Sequence, residues 1–327
     1  VPQDDAESRS FDVLGPRFAG FEDFWRREIE PNLDAQNRKR RQSLAIIGVS
    51  LLIGGALGVA SFFSTDEMQV INPMLIVPAI LVGGIGCGWA ARRLADSEGS
   101  LLTAIFGYLD LDYSRVAGVF PLDRFRELGI LPSYDRSKLE DRVRGQHAGV
   151  AFDIAEAYLE EKRTQNTKNG TKTTYVTVFD GLLIRCGFLK PFSTRVLVKR
   201  DAGWLAGALS GLFGGGDKVR LEDPRFEEVF EVYSKDQVEA RYLLTPLFME
   251  RLLALDRRFG GGQMALAFEG QEVWIALRQA GDSFRLGSLW RGYSRASVAA
   301  FLKALAELFL LIEEINARGS ISSGPRA

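Results

Sequence analysis

Two uncharged apolar runs near the start of this 327-residue chain constrain its fold more than anything else in it: residues 44–63 and residues 73–91. The first holds 20 residues without an ionisable side chain. At about 1.5 Å of rise per residue a helix of that length covers the roughly 30 Å hydrocarbon core of a bilayer. The second holds 19 and is opened by Pro73, at a position where a helix needs no N–H. Arg38, Lys39, Arg40 and Arg41 precede the first run, Arg92 and Arg93 follow the second, and the nine residues between carry only Asp66 and Glu67. Basic flanks stay on the cytoplasmic side, so the pattern predicts a hairpin of two transmembrane helices with both chain ends in the cytoplasm. The competing expectation, a helical hairpin buried in a globular core, fits two uninterrupted runs with basic flanks less well.

Within the runs, Gly54 and Gly58 are four residues apart, as are Gly84 and Gly88. That spacing leaves a flat stripe where a neighbouring helix can come close, either inside the hairpin or between two copies of the chain. Pro78 is placed to kink the second helix. No charged residue falls inside either run, so the usual mark of an ion path is missing and a transport subunit is disfavoured.

The remainder reads as water-facing protein. From Arg92 onward there are 236 residues, ample for a core of their own. A net charge of −1 gives no bulk attraction to nucleic acid, and no nucleic-acid partner is expected. The two cysteines, Cys87 and Cys186, cannot build a disulfide framework or a zinc site, and the single histidine, His147, excludes a multi-histidine metal centre. No cofactor or metal is expected. No short positive-apolar-small pattern opens the chain, which predicts no ordinary secretory signal and makes the first run its own insertion signal.

Taken in order, residues 1–43 form a cytoplasmic arm. Phe18, Phe21, Phe24, Trp25 and Ile29 recur at helical spacing and predict an amphipathic helix ended by Pro31, its aromatics set either in the membrane interface or against the cytoplasmic domain. The hairpin takes residues 44–94. An α+β domain, an antiparallel sheet with packed helices, takes residues 95–317, and residues 318–327 form a disordered tail. Residues 95–109 continue the second helix as a stalk, and Pro121 with Gly129 brackets a short helix. Alternation from Arg142, a polar tip at 164–172 containing Asn169-Gly170, and residues 174–179 predict a long β-hairpin. Asp180-Gly181 and Glu269-Gly270 read as further turns, and the likeness of Phe179-Asp180-Gly181 to Phe268-Glu269-Gly270 raises the possibility of a duplicated sheet unit. Residues 225–230 and 247–258 are helical by pattern, the latter capped by Thr245 before Pro246. A last helix, residues 295–317, buries the face of Val298, Phe301, Leu305, Leu308, Ile312 and Ile315.

Motifs for chemistry are few. Residues 211–218 are glycine-rich, but Lys218 is not followed by Ser or Thr and Asp217 would repel a phosphate, so a flexible loop is the expectation. His147 shows no partner acid and no pocket in the sequence. Glu140-Asp141, Glu160-Glu161, Glu227-Glu228 and Glu313-Glu314 read as solvated faces, and no Gly-x-Ser-x-Gly is present. Cys186, beside Arg185, reads as buried and inert. Residues 202–216 carry Trp204, Leu205, Leu209, Leu212 and Phe213 without a charge, directly after Lys199 and Arg200. Too short to span, this segment either dips into the membrane interface or covers one end of the sheet.

Tyr134 with Glu140-Asp141, Phe179-Asp180-Gly181, Leu221-Glu222-Asp223-Pro224 with Phe226 and Phe230, and above all the block from Tyr233 to Leu253, following two spans, resemble a bacterial membrane-protein family of unknown function. The resemblance runs from the hairpin to about Leu286. Such families are often found alongside LemA-like membrane proteins, which implies a membrane-associated partner and brings no catalytic residue. The expectation is therefore a two-pass inner-membrane protein that holds a cytoplasmic interaction or scaffolding domain, with the bilayer and a second membrane protein as partners and self-association open. The alternatives are a tethered enzyme whose site only the fold assembles, and an oligomeric transport-associated subunit.

Overall fold

The computed structural model describes residues 11–63, 73–167, 170–188, 191–200, 217–258, 263–278 and 293–320. The chain divides into two compact units, one of Val1–Tyr108 with Arg285–Ala300 and one of Leu109–Phe284 with Phe301–Ala327.

In the first unit, two 3-10 turns (Phe11–Leu14 and Pro16–Phe18) lead into α1 (Phe21–Phe24), a π-turn (Trp25–Ile29) and α2 (Glu30–Phe63). Pro31 does not end the helix as its pattern suggests. It lies in the first turn of α2, directly after a π-turn in which the N–H of Glu30 reaches back to Trp25 O. A widened turn leaves room for a ring that would otherwise strike the preceding carbonyl, and so the helix continues. The N-terminal aromatics are interior. Phe11, Phe18, Phe21, Trp25 and Ile29 are buried, Phe24 stacks on Tyr108 at 4.5 Å, and Phe21 meets the same ring edge-on at 5.2 Å. Aromatics so enclosed are not available to a membrane interface, which corrects that half of the expectation. Gly20 allows the packing: its φ is +76°, and a Cβ there would stand 3.0 Å from the Tyr108 hydroxyl.

The second helix, α3 (Pro73–Tyr108), runs unbroken from the second apolar run through the expected stalk. It packs on α2 at a point where a Cβ on Gly86 would overlap the Ser50 hydroxymethyl group.

The second unit is built on an antiparallel sheet in the order β1-β2-β3-β4-β9-β8-β5-β7-β6. The strands are β1 (Asp112–Val116), β2 (Arg136–His147), β3 (Val150–Thr167), β4 (Gly170–Gly187), β5 (Val196–Arg200), β6 (Asp217–Val219), β7 (Phe230–Ser234), β8 (Gln263–Glu269) and β9 (Glu272–Arg278). The long hairpin is β3 and β4, paired from Phe152↔Cys186 out to Thr167↔Gly170; residues 168 and 169 of its expected turn lie outside the described residues. Asp180-Gly181 is not a turn. Both residues sit inside β4, opposite Tyr158 and Ala157, and the irregularity that their sequence signals is a bulge where Leu159↔Phe179 is followed by Glu160↔Thr177. Glu269-Gly270 does open a turn, with Gly270 at φ +62° and Glu269 facing Glu272 across it. The two similar triplets therefore occupy different places, one mid-strand and one at a hairpin end.

Both sheet faces are covered over the centre. On one, Ala155, Ala157, Ala265, Ala267 and Ala276 make a shallow floor on which Phe120, Phe125, Leu128 and Ile130, carried by α4 (Leu122–Glu127) and its flanks, can sit closely. On the other, Phe248 of α7 (Pro246–Arg258) meets Phe268 at 5.8 Å, and Phe309 of α8 (Arg295–Ser320) meets Phe152 at 5.9 Å. Two-sided burial explains why residues 182–184 and 273–277 are continuously apolar rather than alternating. Two short helices complete the unit, α5 (Pro224–Glu227) and α6 (Gln237–Leu243). Thr245 caps α7, its Oγ1 accepting from Phe248 N at 3.2 Å.

Candidate functional site

The described parts of α2 and α3 present their apolar side chains outward. Leu51, Leu52, Ile53 and Val59 on α2 and Val77, Ile80, Leu81, Ile85 and Trp89 on α3 are between 45% and 75% exposed. Among the described residues one helical stretch, Pro16–Ala60, is long and apolar enough to cross a membrane by length and composition, and only 11% of its most apolar window is buried. A core helix of a soluble domain would be mostly covered. Arg38, Lys39, Arg41 and Arg92 are exposed at the ends of these apolar surfaces.

Of the glycines singled out for packing, Gly58, Gly84 and Gly88 have nothing within 4 Å of a notional Cβ, and Gly54 is half-buried. The close approach occurs at Gly86, against Ser50, which is 7% exposed. Trp204, Leu205, Leu209, Leu212 and Phe213 fall outside the described residues, as do the inter-helix residues 64–72.

In the second unit, a cleft of about 670 Å3 opens at the β8–β9 turn, lined by Arg124, Phe188, Pro191, Glu269, Glu272 and Trp274 among others. Its carboxylates face each other across the hairpin end, where two like charges would repel without counter-ions. Arginines supply them. Arg195 donates to Glu269 Oε1 at 2.9 Å through Nε and at 2.5 Å through Nη2, while Arg124 bonds the other oxygen of Glu269. Arg185 donates to Glu272 at 2.6 Å through Nε and lies 5.4 Å from the Trp274 ring centre. The glutamates thus act as anionic braces between α4, β4 and the segment before β5. Sequence reading missed this network because its partners are 74 to 145 residues apart along the chain; the visible signal was a pair of glutamates around a two-residue turn.

His147 does have a partner acid. Its Nε2 is 2.8 Å from Glu313 Oε1, and its ring stacks on Phe309 at 4.4 Å. Glu314, expected on a solvated face, is 8% exposed and accepts from Thr245 Oγ1 at 3.4 Å; Asp141 accepts from the Tyr113 hydroxyl at 2.5 Å. Cys186 is fully buried, which pushes its thiol up to about 12, so the neighbouring Arg185 does not activate it. Lys218 belongs to edge strand β6 and bonds Glu231 Oε1 at 3.0 Å. With Lys218 first, then Lys199 and Tyr233 contributing, the Glu231 carboxyl is held down at about 2. Among the described residues no three metal-binding side chains come together.

Residues 177–317, from mid-β4 into α8, match a family described as "Protein of unknown function (DUF3137)". The match contains the 233–253 block. No curated protein and no solved structure matches the chain.

Proposed function

We propose that the protein is a two-pass inner-membrane protein in which α2 and α3 form the transmembrane hairpin and the sheet unit serves as an interaction or scaffolding module on the cytoplasmic side. The observation that carries this reading is the outward exposure of large apolar side chains on both helices, bounded by exposed arginines and lysine. Two such surfaces on a water-soluble protein would associate; in a bilayer they meet a matching solvent. The family resemblance adds a membrane-associated partner of the LemA-like kind.

An interaction module fits the sheet unit better than an enzyme, because the carboxylates of its cleft are engaged by arginines and the His147–Glu313 pair is stacked against Phe309. Alkaline carbonate extraction of native membranes tests the anchor: the full chain stays in the pellet, and its release into the supernatant would contradict the reading. Crosslinking in the same membranes identifies the partner, and a His147→Ala chain of normal abundance retains cellular function, whereas its complete loss would favour the enzyme.

A further inference from the structure

The β3–β4 hairpin is longer than the sheet it belongs to. Among the described residues its last pair with β2 is Arg136↔Glu160 and its last pair with β9 is Gly181↔Arg278, yet β3 and β4 remain paired with each other out to Thr167↔Gly170. Seven residues of β3 beyond Glu160 extend about 23 Å at roughly 3.3 Å per residue. The arm buries almost nothing: residues 162–165 and 170–175 are all exposed, on both faces of the ribbon. A two-stranded ribbon in water contributes little stability of its own, so packing does not account for its length.

Its charge is of one sign. Acidic groups stop at its base, where Asp135 accepts from Lys162 N at 2.6 Å and Glu161 pairs with Arg163 at 3.1 Å. From Lys162 to Phe179 the sequence has no Asp or Glu, in a chain whose net charge is −1. The described basic groups lie on both faces. Lys162 shares one with Tyr175, whose ring centre is 3.4 Å from the Arg136 guanidinium, and Lys172 shares the other with Gln165 and Arg163.

We infer that this arm is an electrostatic contact for the anionic lipid headgroups of the membrane that holds the chain. The inference rests on the anchoring proposed above. A covalent anchor keeps headgroups at a high effective concentration for any basic segment of the same molecule. Each lysine or arginine near an anionic leaflet adds a favourable increment, and the threonines around them, with the Tyr175 ring held against Arg136, give a mostly polar surface.

The full chain is reconstituted in nanodiscs of phosphatidylcholine alone and of phosphatidylcholine with phosphatidylglycerol, and amine acetylation is followed residue by residue. Lys162 and Lys172 acetylate roughly three- to tenfold more slowly in the anionic discs, while exposed Lys235 does not change. The difference disappears at high salt, and Lys172→Glu removes the protection of Lys162. Equal rates in both discs, from a chain that co-elutes with both, overturn the arm's role alone and leave its lysines as blunting charges on a strand edge or as a site for an acidic protein. A chain that co-elutes with neither disc overturns the anchor and this inference together.

Discussion

The helices α2 and α8 are made of similar residues and bury opposite amounts of them. On α8, Leu302, Leu305, Leu308, Phe309, Leu311 and Ile312 are each at most 5% exposed, whereas on α2 Leu51, Leu52 and Val59 are 58% to 75% exposed. Composition alone does not separate them. What does is the pattern along the chain: α8 alternates its apolar face with Lys303, Glu307 and Glu313, while residues 44–63 have no charge on any side. A helix with a polar face has water on one side and protein on the other; a helix with none needs an apolar environment all round.

The sharpest way to break that comparison is to cut side chains of similar kind on its two sides. Leu302, fully buried on α8, should cost about 2 to 5 kcal/mol when changed to Ala, read as a large fall in the melting temperature of the full chain in detergent. Leu52→Ala, at a side chain 75% exposed, should stay within about 0.5 kcal/mol. If the two changes cost the same, α2 is a core helix and the contrast fails.

A polar brace in the sheet unit comes next. Arg142 bonds Asp153 through Nε and Nη2 at 2.8 and 2.6 Å and reaches the carbonyls of Ala117 and Val119, with 15% of its side chain exposed. Arg142→Ala strands a half-buried carboxylate and two carbonyls and should cost about 3 kcal/mol in the same assay. Between α2 and α3, Gly86→Leu should cost about 1 to 3 kcal/mol by forcing the helices apart at Ser50, while Gly84→Ala, with open space around it, should be close to neutral. The reverse order would move the helix contact to the stripe of glycines spaced by four.

A smaller effect separates surface charge from apolar burial. Glu231 titrates at about 2 in the folded chain against an ordinary 4.5, so its contribution is complete above about 4.5 and is lost as the pH falls through about 2. Its partner Lys218 is largely exposed, so screening reduces the gain to about 1 kcal/mol. Glu231→Gln should lower stability by that amount at neutral pH and by little at the acid end; an unchanged pH profile would show that the pair contributes nothing measurable.

Much of this was legible in the residues. Thr245 before Pro246, the helical spacing of Val298, Leu305, Leu308 and Ile312 along α8 and the alternation from Arg142 each state a local preference that the fold keeps, because cap, face and strand all depend on near neighbours, although Leu302 rather than the half-buried Phe301 enters the core. The failures are also particular. Pro31 predicts a helix end, but a π-turn immediately before it removes the clash, and nothing in residues 25–29 advertises that widening. Asp180-Gly181 has turn chemistry, yet β3 pairs both residues and β9 pairs Gly181 from the other side, which holds them in the ladder with a bulge as the local compromise. Glu314 and the arginine-bound Glu269 and Glu272 could not be told from surface acids, since what covers or neutralises them comes from distant parts of the chain. The candidate cleft was therefore the least legible part, and the outward apolar surface of the helices the most.

The central claim is that both apolar runs cross the bilayer, and topology reporters test it most directly. With matched expression, a reporter fused after Ala327 should show cytoplasmic activity, and one inserted beside Glu67 should show periplasmic activity, because lysine and arginine flank the pair only on its outer sides. Cytoplasmic activity at both positions would contradict the account, since the helix pair would then not cross the membrane.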